Sequence, residues 1–317
     1  QRYESRYRRG SKVYVDRTSA RATVPSWYSE RLPRSFDLGA EIAAFQRDVL
    51  AIAEEGMAAL RTHLREFPID EESVRAIARL IDRQVTYAGP ESVSTTDRIV
   101  VEQVTDRDEY RRRYYVRTPY GRRFNDGLSR ILAHQVAAEA TANVTIAVAD
   151  AGFTLSMPLN RKVDVVGLLQ STDPEDARDL LEASLDGTDL RERYFRINAT
   201  RSLMILKRYK GHEKSASRQQ VSAEMLLGFA EGLTDFAVLE ETHREIVEDK
   251  LDLGGIEAIL GRVQDGTIAV EGITLASPSP LSFGLATLSA SDVVLAEDED
   301  AALRAFHERV TEAIEGD

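Results

Sequence analysis

The chain has 317 residues, 43% of them hydrophobic, enough to bury a sizeable core in one large domain or two lobes. Its net charge is −12 and it contains no cysteine, which excludes disulfides, thiolate zinc sites and cysteine nucleophiles. No apolar run approaches the roughly 18 residues of a membrane-spanning helix.

No apolar signal-peptide core opens the chain, so the expectation is a cytoplasmic protein with no membrane partner. Residue 1 is Gln, which leads us to expect a fragment continuing from an upstream region. Residues 1–10 are Arg-rich, with Arg2, Arg6, Arg8 and Arg9 among Tyr3 and Tyr7. Two strand-like runs, 12–16 and 21–27, predict a hairpin. Leu38, Ile42, Phe45, Val49, Ile52, Leu60 and Leu64 keep helical spacing, predicting one helix over 37–65. Asp70 is placed to cap a second helix that buries Val74, Ile77, Ile81 and Val85 and ends at Gly89-Pro90.

The next stretch reads strand (98–104), strand (110–117), helix (122–140), strand (144–149), strand (153–157). Residues 171–189 are acidic and loosely patterned, and a lobe boundary is expected there. Beyond it come helices over 190–209, 217–232, 237–251 and 254–264, a strand over 267–272, an apolar run 292–296 and a helix near 299–315. The expected class is α+β: a mostly antiparallel sheet or β-barrel-like module with packed helices, then a largely helical C-terminal lobe. The expected divisions are 1–35, 36–170 and 171–317.

Phosphate-cradling loops of the G-x-x-x-x-G-K-[ST] type need a Gly-Lys pair, which does not occur, so this chain alone is expected to hydrolyse no ATP. The acids at 70–72 and 298–300 sit at helix starts, where they oppose the dipole. The charge of −12 stands against binding phosphate. It fits a high-salt protein, where the Debye length is about 3 Å at 1 M; an Arg-biased genome accounts for the scarce lysine equally well.

Two basic regions stand out. Arg122 and Arg123 begin a helix just after Gly121, with Asn125 in the same turn. Free N–H groups and guanidinium forks there suit a phosphate, or the arginines pair with nearby carboxylates. Arg201, Lys207, Arg208, Lys210, Lys214 and Arg218 surround Gly211 and hold half of the chain's lysines. Arg201 and Arg208 are expected on one helix face, with Leu203 and Leu206 turned to the core. The corner 210–214 is expected to lead into a recognition-type helix exposing Arg218, Gln219 and Gln220. Otherwise this is a solvated basic turn. Trp27, the chain's one Trp, either stacks on a base or anchors the hairpin. The acids around Glu241, Glu245, Glu248 and Asp249 form a solvated face, partners for arginines, or a weak cation site.

Three stretches occur in order: Val24-Pro25-Ser26-Trp27 with Arg34, Thr118-Pro119-Tyr120-Gly121-Arg122-Arg123-Phe124-Asn125, and Glu241-Thr242-His243-Arg244-Glu245 leading to Pro278-Ser279-Pro280. Together they resemble the C-terminal part of the large helicase-related (Lhr) family of ATP-dependent helicases, over nearly the whole chain. The resemblance implies RecA-like and winged-helix domains upstream that bind ATP and Mg2+, with no cofactor in this chain. It implies an accessory role in 3′-to-5′ movement on single-stranded DNA and unwinding that includes RNA–DNA hybrids. It also implies a stacking role for Trp27 and strand contact by the Arg122–Asn125 segment. Two other classes remain: a base-acting, glycosylase-like domain using Asp126 or Gln219-Gln220, and a structural clamp without nucleic-acid contact.

Overall fold

The computed structural model describes residues 3–9, 12–17, 32–209 and 212–291. Trp27, Lys210, the expected strand over 21–27 and the expected run and helix after 291 lie outside these residues. The chain divides into two compact units, Gln1–Leu32 and Pro33–Asp317.

In the first unit β1 (Tyr3–Arg9) pairs antiparallel with β2 (Lys12–Arg17). The Arg-rich start, not expected to be a strand, pairs with residues 12–17, while the run 21–27 expected to pair with 12–16 lies outside the described residues. The charges there hide an extended strand, fixed by stacking of Tyr7 on Tyr14 at 4.6 Å.

The second unit opens with α1 (Phe36–Glu54) and α2 (Met57–Leu64). The single helix expected over 37–65 breaks at Gly56, whose φ of 117° is costly for other residues. In α3 (Glu71–Ala88) the Asp70 carboxylate accepts the Ser73 N–H at 2.7 Å, the cap read from sequence. Val49, Leu60, Leu64, Val74, Ala78 and Ile81 form the core of these three helices.

Next come β3 (Arg98–Asp106), β4 (Arg111–Arg117), α4 (Arg122–Ala140), β5 (Thr145–Ala149) and β6 (Gly152–Pro158). Then follow α5 (Val165–Ser171), α6 (Ala177–Ser184) and α7 (Asp189–Arg201). The short β7 (Arg208–Tyr209) and β8 (His212–Glu213) pair before α8 (Ala216–Ala230). A ninth helix, α9 (Ala237–Arg244), runs into a π-helical turn, Glu245–Lys250. The last elements are α10 (Leu253–Gln264), β9 (Ala269–Leu275) and α11 (Phe283–Ser291).

The central sheet has the order β5-β6-β4-β3-β9, antiparallel except where β9 runs parallel to β3. The class is therefore α+β with a mostly antiparallel sheet. It is open, with β5 and β9 at its edges, so the barrel alternative does not hold. Phe124, Leu128, Ile131 and Leu132 of α4 share one core with Val101, Val116, Phe153 and Leu155 of the sheet. Leu169, Ala177, Leu181 and Leu185 join that core, as do Ile256 and Leu260 of α10.

The helix expected over 190–209 ends at Arg201. Leu203 adopts φ 63° and is 73% exposed, and Leu206 is exposed too, so neither turns to the core. Ile205 is buried instead, with Phe195, Ala199 and Leu227. A two-stranded turn replaces the expected helix–turn–helix corner.

Candidate nucleic-acid interface

The strand β4 delivers the chain into Thr118-Pro119-Tyr120-Gly121 and then α4. This junction is built by close approach. A Cβ on Gly121 would meet the Arg34 carbonyl oxygen at 2.2 Å, and one on Gly39 would meet that of Pro119 at 2.2 Å. Phe36 stacks on Tyr120 at 4.9 Å, with Phe124 edge-on to both. The start of α1 is thereby buckled to the start of α4.

No side chain of Gly121 can cap α4; Asp150 does so from the β5–β6 turn. Its Oδ1 accepts the N–H groups of Arg122 and Arg34, each at 3.1 Å. A protein carboxylate thus holds the place where an external anion was expected. Asn125 is fully buried. Its amide donates to the carbonyls of Thr118, Ala149 and Asp150, and its Oδ1 accepts the Thr118 hydroxyl. It offers no surface to a strand and acts as a latch between β4, the β5–β6 turn and α4.

The two arginines separate in role. The Arg123 side chain is exposed and donates to the carbonyls of Glu248 and Asp249 at the π-helical turn. The Arg122 side chain is exposed and has no partner among the described residues. The same π-helical turn receives Arg201 through Glu245 at 3.1 Å. Structure therefore joins Arg123 and Arg201, from the two basic regions, at one turn. Arg201 and Arg208 do not share a helix face, because the helix ends between them.

The acids of this region serve arginines. Arg244 contacts Glu241, Glu248 and Asp249, and Arg178 contacts Glu182 and Glu248. Hydrogen bonds from Arg244 hold the Glu241 carboxyl below its usual range, and those from Arg178 do the same for Glu248. Sequence reading missed Asp150 and Arg178, and quoted Arg244 without foreseeing its role as the hub of these acids. The only available signal was the turn sequence Asp150-Ala151-Gly152 for the first.

Lys207, Lys214 and Arg218 form a second group around the β7–β8 turn, where the Lys214 N–H donates to the Lys207 carbonyl. Lys207 and Arg218 are exposed and Lys214 half-buried; none has a carboxylate partner among the described residues. Arg208 lies 3.7 Å from Glu213, both well exposed. Lys214, Ser217, Arg218, Val221 and Ser222 line a shallow depression of about 390 Å3. As expected, α8 begins beside this group, capped by Ser215, with Arg218 and Gln220 exposed, but Gln219, also expected on the surface, is half-buried and turned back to the Lys214 carbonyl.

The residues nominated for base chemistry share no site. Asp126 pairs with Arg130 at 2.9 Å, and the Gln219 amide donates to the Lys214 carbonyl. Ser279 of the Pro-Ser-Pro stretch is buried, where its N–H donates to the buried Glu102 carboxylate at 2.8 Å. Arg117 on the same sheet face is also fully buried; desolvation lowers its pKa to about 10.

A family model described as DEAD/H associated matches residues 93–282, more than half of the chain. An ATP-dependent helicase, Lhr-Core protein 2 of Thermococcus barophilus, is 36% identical over 310 residues, covering 97% of this chain and 35% of that protein. Lhr-Core of Methanothermobacter thermautotrophicus is 35% identical over 321 residues, covering 98% of this chain and 36% of that protein. The chain spans about a third of the length of these relatives. Among solved structures, Mycobacterium smegmatis helicase Lhr bound to ssDNA and AMP-PNP matches with a TM-score of 0.70 at 21% identity. That match covers 84% of this chain and 33% of that one, and shows the shared fold.

Proposed function

The chain belongs to the DEAD/H-associated family, the associated region of Lhr-type helicases, and from that membership we propose that it grips single-stranded nucleic acid for such a helicase. The observation that carries this reading is a cluster of cations around one turn with no carboxylate partner among the described residues, in a chain of net charge −12. Arg122 stands at the α4 start, and Lys207, Lys214 and Arg218 stand around the β7–β8 turn. Arg113, Arg178, Arg191 and Arg244 are matched by acids, whereas scattered cations such as Arg79 and Lys162 make no ion pair among the described residues, so the mark of Lys207, Lys214 and Arg218 is their clustering at one turn. Side chains kept out of such pairs in so acidic a protein suit phosphates. The ssDNA bound by the mycobacterial Lhr supports the choice of partner.

In this reading the parent protein moves 3′ to 5′ on DNA, unwinds RNA–DNA hybrids, and serves DNA repair in the cytoplasm of a salt-adapted cell. Its RecA-like domains bind ATP and Mg2+; this chain supplies the grip, using Trp27, Arg122, Lys207, Lys210, Lys214 and Arg218. Residues 1–35, 36–170 and 171–317 are its working divisions.

The test is fluorescence anisotropy of a labelled oligo-dT across a salt series. Each phosphate contact contributes about −0.7 to the slope of log affinity against log salt. Combined Arg122→Ala, Lys214→Ala and Arg218→Ala is expected to flatten the slope by about 2 while the chain stays folded. Wild-type chain that fails to bind oligo-dT at low salt removes the proposal.

A further inference from the structure

Residues 1–17 carry Arg2, Arg6, Arg8, Arg9, Lys12 and Arg17 against only Glu4 and Asp16, a net of +4 in a chain whose total is −12. Of these, Tyr3–Arg9 and Lys12–Arg17 build the β1–β2 hairpin, and the order of charges along it is uneven. The register sets Arg9 opposite Lys12 at the turn end, Arg8 opposite Val13, and Tyr7 opposite Tyr14. The acids stand at the other end, where Glu4 pairs across to Asp16 and Arg6 is held by Asp16 at 2.9 Å. By the register, neither Arg9 nor Lys12 stands opposite a carboxylate among the described residues, and Arg8, one residue along, belongs to the other face of the ladder.

Two features of this arrangement are costly in an isolated hairpin. Like charges directly opposite each other destabilise an antiparallel pair, and Arg9 against Lys12 is such a pair. Two residues along, on the same face, Tyr7 and Tyr14 stack at 4.6 Å and 17° while remaining 55% and 42% exposed. A two-stranded hairpin is itself marginal in water. An anionic partner bearing flat rings relieves both costs: phosphates between the cations, and a base against the tyrosine stack.

We propose that the β1–β2 hairpin is a further contact for single-stranded nucleic acid on the face shared by these four residues, with Arg9 and Lys12 holding phosphates and the Tyr7–Tyr14 pair taking a base. This rests on the nucleic-acid reading above but uses none of its residues. Phosphate contact and stacking differ in salt dependence, so the two halves of the hairpin are separable.

Oligo-dT binding is measured by anisotropy across a salt series for the whole chain and two variants. Combined Arg9→Gln and Lys12→Gln is expected to flatten the salt slope by about 1.4. Combined Tyr7→Ala and Tyr14→Ala is expected to weaken binding about 5- to 160-fold with the slope unchanged. Unchanged affinity and slope in both, while the Arg122, Lys214 and Arg218 variant is impaired, overturns the hairpin contact and leaves the proposed function standing. Absence of wild-type binding removes the proposed function itself. A second measurement needs no variant: photo-crosslinking of the unmutated chain to 5-bromouracil-substituted oligo-dT is expected to label the peptide holding Tyr7 or Tyr14. Labelling confined to peptides beyond residue 32 overturns the proposal.

Discussion

The carboxylate of Asp150 accepts the backbone N–H of Arg122 at 3.1 Å, and the same oxygen accepts the N–H of Arg34. One acid on a hairpin turn thereby caps α4 and pins the entry to α1. The buckle is tightened by Gly121 and Gly39, whose backbones approach neighbouring carbonyls too closely for a side chain.

Asp150→Ala should therefore destabilise the chain by about 1–2 kcal/mol, the scale of a lost helix cap. Asp150→Asn, which keeps an acceptor in place, should lose less. Urea denaturation of the three proteins measures this. Equal stability for Asp150→Ala and wild type would show that the two hydrogen bonds carry no weight.

Arg122 and Arg123 are neighbours in sequence and should part company in mutation. Arg123 serves the π-helical turn, so Arg123→Ala is expected to cost about 1 kcal/mol, near the value of one exposed hydrogen-bonded charge. Arg122→Ala should leave stability unchanged and flatten the salt slope of oligo-dT binding by about 0.7. Parallel denaturation and anisotropy series decide it. A reversal of the two phenotypes would exchange the roles assigned to the two residues.

From α3 to β6 the sequence was legible, because Val74, Ile81, Phe124 and Leu128 keep clean helical spacing and Val101, Val116 and Phe153 lie on strands bounded by turns. Where reading failed, spacing misled. Leu203 and Leu206 continue the period of α7, yet the helix has already ended and both face solvent. Leu60 and Leu64 continue the period of α1 across Gly56, whose conformation breaks the helix. The pairing of β9 with β3 joins residues some 170 positions apart, and no local pattern encodes it. In the site, residue type revealed where cations cluster but not which are engaged. Asn125 looks like a contact residue until its four buried bonds are seen, and Arg123 looks like its neighbour until the π-helical turn folds against it.

The chain should lose stability as pH falls from about 5 to 3. The Ser73 N–H holds the Asp70 carboxyl below its ordinary range, and arginines do so for Glu241 and Glu248. Folded pKa values below the unfolded ones stabilise above the unfolded value, near 4, and that stabilisation is lost as pH falls through the folded values. Asp252 acts in the opposite sense: burial raises its pKa, so its protonation favours the fold. Thermal melts from pH 6 to 3 should show the loss, and Asp70→Ala should make it shallower. At 1 M salt the exposed Arg244–Glu241 pair is screened while the short Asp70 cap is not. An acid transition unaltered in Asp70→Ala would remove the cap from this account.

Trp27 is the chain's one tryptophan, so its fluorescence reports on one position. If Trp27 stacks on a base, saturating oligo-dT should quench its emission. Trp27→Ala should then weaken binding by about 1–3 kcal/mol, and Trp27→Phe should recover part of the loss. Stacking depends little on salt, whereas phosphate contact depends on it steeply. The Trp27→Ala deficit should therefore persist at high salt, where the Arg122→Ala deficit has faded. That difference matters for an acidic chain, whose cations are few and whose phosphate contacts weaken first as salt rises. An emission spectrum unmoved by oligo-dT at concentrations that saturate the anisotropy signal would place Trp27 away from the strand.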